Sequence, residues 1–197
     1  MPHMEPSHFV ASAIPNGFSW TLTTRLGDML LDVESRYGPR DKTWTVLGVQ
    51  LVPDIPSLWF PGDASERQVV INLNQMTAST SVALASFQLA HEVVHLLSPV
   101  RGGTNVLEEG VATVFAEEYM AKHFVHHPVQ TANDSYIQAA AAVRKMLANA
   151  PDAVKALRVV QPSFVAMTQA TFRQAGLPTP PALVSKLLEN FERGPSA

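Results

Sequence analysis

The five residues His91-Glu92-Val93-Val94-His95 lie inside the apolar-patterned stretch Ser79 to Leu97, and they constrain this chain more than any other feature. Val82, Ala85, Leu89, Val93 and Leu96 recur at helical spacing there, and Ser98-Pro99 stops the pattern. The stretch therefore predicts a helix with one face in a core. Residues four apart share a helix face, so His91 and His95 can aim both imidazoles at one point. Neutral imidazole is a good zinc ligand. Glu92 projects at a neighbouring angle, from which it can reach a metal-bound water without ligating the ion.

A catalytic zinc site needs a third protein ligand and an open position. The chain has no cysteine, so that ligand must come from His, Asp or Glu, and disulfides and a cysteine nucleophile are excluded. Leu107-Glu108-Glu109-Gly110-Val111-Ala112-Thr113 follows shortly, behind the turn Arg101-Gly102-Gly103-Thr104. Asn105 is a candidate N-cap for a helix running to about His123, with both glutamates near its positive end. Glu108 and Glu109 differ by about 100° around the axis, so one of them at most should face the ion.

The two motifs together resemble the gluzincin metallopeptidases. In those enzymes H-E-x-x-H is followed by a downstream Glu, within a stretch much like Glu109-Gly110-Val111-Ala112-Thr113. The same run is similar to that of aminopeptidase N-like enzymes, and Glu109-x-x-Ala112-x-x-Phe115-Ala116 to that of ImmA/IrrE-type small metallopeptidases. The resemblance covers about residues 67–120. It implies zinc as cofactor, His91, His95 and Glu109 as ligands, Glu92 as general base and a peptide or protein as substrate. It also implies that the strand before the active helix forms the lip of the cleft, with Asn72 and Asn74 near it. Gly110 and Ala112 would let the second helix approach the first, and Thr113 would hydrogen-bond a ligand. The transition-state donor would lie downstream, at Tyr119 or His123 first, with His126, His127 and Tyr136 as further candidates. Two departures stand out: only thirteen residues separate His95 from Glu109, and no G-x-M-E-N precedes His91. The chain therefore carries no signature of amino-terminus recognition. The alternative function is a catalytically weak or inactive zincin-like regulator that holds a protein partner in the cleft.

The remaining pattern fits an α+β fold: a compact, zincin-like, predominantly helical domain with a small sheet before the active helix and helices at the C-terminus. Residues 1–17 read as an irregular lead-in, 18–125 as the core and 126–197 as the C-terminal helices, within one domain. Phe18 to Tyr37 predicts a helix, Thr43 to Val52 and Arg67 to Leu73 predict strands, and the proline-bearing Pro53 to Asp63 predicts a loop. Further helices are expected at about 133–149, 152–160, 163–175 and 181–192. Trp20, Trp44, Trp59, Met146 and Met167 are expected as core or loop anchors. A net charge of −3 without a basic run gives no footprint for nucleic acid or an anionic membrane. No stretch has the apolar length of a membrane span and no secretory leader is visible, so a cytoplasmic setting is expected.

Overall fold

The computed structural model describes residues 13–14, 17–18, 21–63, 65–126 and 129–194. The first helix, α1 (Leu22–Tyr37), begins four residues later than the periodicity suggests. Thr21 and Thr24 form a reciprocal capping box there. Gly17–Phe18 instead pairs antiparallel with Ala13–Ile14, as β2 with β1, where a lead-in and a helix start were expected. Gly38 closes α1 at φ 92°, a conformation that favours glycine. Trp20 lies outside the described residues.

A three-stranded sheet follows, with spatial order β3 (Thr45–Val52), β5 (Gln68–Asn74), β4 (Ser57–Trp59). Strand β3 runs parallel to β5 and β4 antiparallel to it. Two expectations change here. The proline-bearing segment is not all loop, because Ser57–Trp59 forms an edge strand. The strand preceding the His91–His95 helix is the central one, so its edges are already occupied. Asn72 and Asn74 are accordingly structural. Asn72 accepts from Gln50 at 2.7 Å. Asn74 caps α2 (Gln75–Ala78) and donates to the Asp54 carbonyl at 2.9 Å.

Helix α3 (Val82–His95) is capped by Ser81 and begins after α2, because the Ser79 and Thr80 hydroxyls close α2 instead. Its predicted apolar stripe is buried, with Ala85, Leu89, Val93 and Leu96 at 0% exposure. Helix α4 (Val106–His123) starts where Asn105 accepts from the Glu108 amide at 2.9 Å. Four further helices complete the chain: α5 (Asp134–Asn149), α6 (Ala153–Val160), α7 (Gln169–Gln174) and α8 (Pro181–Leu187). A 3-10 turn at Phe164–Ala166 stands where a helix from 163 was expected. The architecture is α+β and predominantly helical, with one hydrophobic cluster running from α1 through the sheet to α8. Trp44, Met146 and Met167 are in that core, whereas Trp59 is 49% exposed on the edge strand. Among the described residues no helix is long and apolar enough to cross a membrane.

Helix α4 is the pivot of the fold. Gly110 faces α5, not α3: a Cβ at that position would lie 2.5 Å from the Ala139 carbonyl oxygen and 2.6 Å from Val143. The glycine therefore sets the α4–α5 separation and has no part in the approach to α3. On α6, the buried Arg158 donates to the carbonyls of Tyr37, Gly38, Pro39, Leu97 and Pro162 at 2.9–3.1 Å. That fixes the ends of α1 and α3 relative to each other. Such charged-group hydrogen bonds contribute about 1.5–3 kcal/mol each when buried.

Candidate metal centre

Helices α3 and α4 bring His91, His95 and Glu109 together. One donor atom from each lies within 4.8 Å of the others. His91 Nε2 is 3.0 Å from one Glu109 oxygen, and His95 Nε2 is 3.7 Å from the other. Tetrahedral zinc with bonds of about 2.0–2.2 Å holds neighbouring donors roughly 3.3–3.5 Å apart. The two histidine–glutamate separations, each to a different Glu109 oxygen, bracket that span, and the set as a whole, within 4.8 Å, closes further to hold an ion.

Both glutamates are used, differently. Glu108, 2% exposed, meets His95 Nδ1 at 2.9 Å, which turns Nε2 toward the cluster. A carboxylate behind a ligating imidazole fixes its tautomer and orientation. Glu109 receives the Thr104 hydroxyl on Oε1 at 2.7 Å. Thr113 bonds the Glu109 backbone carbonyl at 2.8 Å and leaves the carboxylate to Thr104. Gly102, at φ 125°, makes the short turn that brings Thr104 into place. The same turn is tied across the cleft, since Arg101 donates to the Phe60 and Asp63 carbonyls.

The electrostatics ask for a cation. Burial raises the Glu92 pKa above the usual carboxylate range. Burial would depress His95, but Glu109 and the hydrogen-bonded Glu108 outweigh it and push the imidazole up to about 10. Burial would raise Glu109, but His95, His91 and Thr104 bring it down to about 2. Three carboxylates, only Glu109 among them in the donor set, surround two imidazoles and favour added positive charge, supplied by protons or by a divalent ion.

Glu92 is 4% exposed and sits where two connected chambers meet. The larger, about 650 Å³, has His91, His95, Glu108 and Glu109 on one side and Ile55 to Phe60 on the other. The smaller, about 350 Å³, extends past Phe87 and Thr113 toward α5. Tyr136, near the start of α5, borders both, with its ring centroid 5.5 Å from that of His91 and 4.8 Å from that of Phe191. Burial, with Glu109 next, pushes its phenol up to about 12, so it is held as a hydrogen donor.

The downstream donors separate clearly. Tyr136 is at the site, but Tyr119 and His123 are not. Tyr119 packs between Phe115 and His123, with its hydroxyl against Arg25 of α1. The reason is distance along α4: ten and fourteen residues beyond Glu109 correspond to about 15 and 21 Å of rise. His126 is exposed in the turn after α4, and His127 lies outside the described residues. Thr104 and Arg193, which sequence reasoning missed, adjoin the site. Thr104 directly precedes a cap residue and carries no motif, and Arg193 arrives from the far end of the chain.

The fold is thus an α+β domain whose active-helix candidate shares a two-histidine, one-glutamate cluster with the next helix. No protein-family model, curated protein or solved structure matches the chain.

Proposed function

We propose that the protein is a gluzincin-like zinc metallopeptidase, with the ion held by His91, His95 and Glu109 and with Glu92 as general base. The observation that carries this reading is the convergence of three donor groups beside a buried, otherwise uncommitted carboxylate at the floor of a cleft. Zinc in such a set supplies Lewis acidity toward a carbonyl and an acidified water. The chain's own residues supply the remainder. Glu92, its proton affinity raised by burial, takes a proton from the attacking water and delivers it to the leaving amine. Tyr136 offers a hydroxyl toward the developing oxyanion. Among the described residues strand β4 pairs with β5 along one edge only and lines the same cleft, so an extended peptide can add to its other edge by main-chain hydrogen bonds. Trp59 and Ile55 give that lip apolar contact. A chain without cysteine is suited to a reducing, cytoplasmic setting, which is part of the proposal.

The test combines metal analysis with cleavage of a mixed peptide library. Protein purified without chelator should carry about one zinc and cut peptides, and chelator should abolish cleavage. Glu92→Gln should retain the zinc and lose at least about 100-fold in kcat. Equal turnover by that variant removes Glu92 from the mechanism. Full zinc occupancy with no cleavage of any peptide points instead to the partner-binding regulator.

A further inference from the structure

The smaller chamber has a polar rim that the hydrolytic machinery does not use. Its cation is Arg193, which borders both chambers. Arg193 is exposed and its charge acts on the neighbouring Tyr136 phenol, but among the described residues no hydrogen bond or ion pair engages that guanidinium. Arg101, the other arginine on the larger chamber, already has both Nη atoms on backbone carbonyls.

Arg193 is placed by a stapled segment. The Val106 amide donates to the Glu189 carbonyl and the Phe191 amide to the Thr104 carbonyl, each at 2.9 Å. Beyond Arg193, the Gly194 amide donates to Ser135 Oγ at 2.8 Å, and its carbonyl accepts from Asn133 Nδ2 at 3.1 Å. The Phe191 ring rests on Tyr136. The backbone is therefore fixed on both sides of Arg193, and its side chain starts at the mouth of the cleft. The chamber behind it combines apolar walls, Pro56 and Phe87, with polar groups at Gln130 and Thr131. Among the described residues the buried Thr131 hydroxyl has no hydrogen-bond partner.

We infer that this chamber takes a carboxylate carried by the bound peptide and pairs it with Arg193. The inference rests on the peptidase reading and assigns its substrate class. A guanidinium fork matches a planar carboxylate in two parallel hydrogen bonds. The charge layout favours the same outcome. With the ion in place, Glu108 and Glu109 offset its charge, so the floor offers an anion little net attraction. The Arg193 rim attracts it, so the anionic end of the substrate is held away from the floor and the uncharged amide is left to approach it. The carboxylate comes either from a free C-terminus or from an Asp or Glu side chain, and the chemistry of the pairing is the same.

The test is calorimetric binding of peptide pools to zinc-loaded, full-length Glu92→Gln protein, which holds peptides without turning them over. Two pools of mixed-sequence hexapeptides differ only in a free or an amidated C-terminus. Two more, blocked at both ends, differ only in Glu against Gln. One carboxylate pool should bind about tenfold tighter than its neutral counterpart, the worth of a charge-assisted hydrogen bond. Which pair shows the difference identifies the source of the carboxylate. Adding Arg193→Met should erase that preference and leave the neutral pools within about twofold, and Arg193→Lys should keep part of it. Equal binding of all four pools, or a preference that survives Arg193→Met, overturns the inference. An Arg193-dependent preference in a protein that cuts no peptide would reject the peptidase and keep the carboxylate site.

Discussion

The two ends of α4 carry similar chemistry and do different work. Near its start, Glu108 and Glu109 are buried against His91 and His95. Toward its end, Glu118 pairs with Arg36 at 2.7 Å, Arg36 lies over the Phe115 ring, and Tyr119 meets Arg25. Both ends join carboxylates or aromatics to nitrogen bases across a helix–helix contact. At the first end the partners are titratable imidazoles and the carboxylates are enclosed, so a small cation can replace protons. At the second the partners are guanidinium groups, permanently charged and too large to yield their place to an ion. The nature of the base across the interface makes one end a candidate metal centre and the other a helix clamp.

Removing Glu109 should break that contrast most severely. Glu109→Ala leaves two imidazoles and takes away the negative donor. Zinc affinity should fall on the order of a thousandfold, one ligand's share of the roughly 10–16 kcal/mol seen in four-ligand sites. Competition with a chromophoric chelator measures it. Retention of zinc within a factor of ten would reject Glu109 as a ligand.

Glu108→Ala sharpens the distinction between adjacent glutamates. It removes the acceptor behind His95 Nδ1 but no donor from the cluster. Affinity should fall about 10- to 100-fold, with zinc still bound at saturating metal. If Glu108→Ala loses zinc as completely as Glu109→Ala, the roles of the two are reversed. This pair also shows how much of the site was legible in the chain. The spacing of His91 and His95 and a glutamate one turn into the next capped helix are local facts, fixed by helix geometry. That Glu108 orients His95 follows from the rotation of α4 about its own axis, which the packing of Gly110 on α5 sets. Strand β4 is not legible in the sequence because three residues among prolines carry no periodicity, and only pairing with β5 makes them a strand. Phe191 and Arg193 reach the cleft by tertiary placement, for which sequence spacing gives no signal, whereas Tyr136 is among the downstream candidates that the resemblance offers. Tyr119 and His123 are the opposite case, because the rise of α4 alone was enough to remove them from the site.

The smallest expected effect tests the second end of α4. Tyr119→Phe keeps the ring between Phe115 and His123 and removes the hydroxyl facing Arg25. Stability should fall by about 1 kcal/mol, the worth of one hydrogen bond, read from chemical denaturation. His123 is exposed, and His123→Ala should cost less. Zinc affinity and kcat/KM should stay within about twofold of the parent in both, because no part of either side chain borders the chambers around Glu92. Tyr136→Phe supplies the contrast: among the described residues no hydrogen bond engages its hydroxyl, so stability should change less, but kcat should fall at least about tenfold if that hydroxyl meets the oxyanion. A fall in kcat for Tyr119→Phe as large as for Tyr136→Phe, at full zinc occupancy, would mean that the clamp against α1 governs the position of Glu109. The two ends of α4 would then be one functional unit.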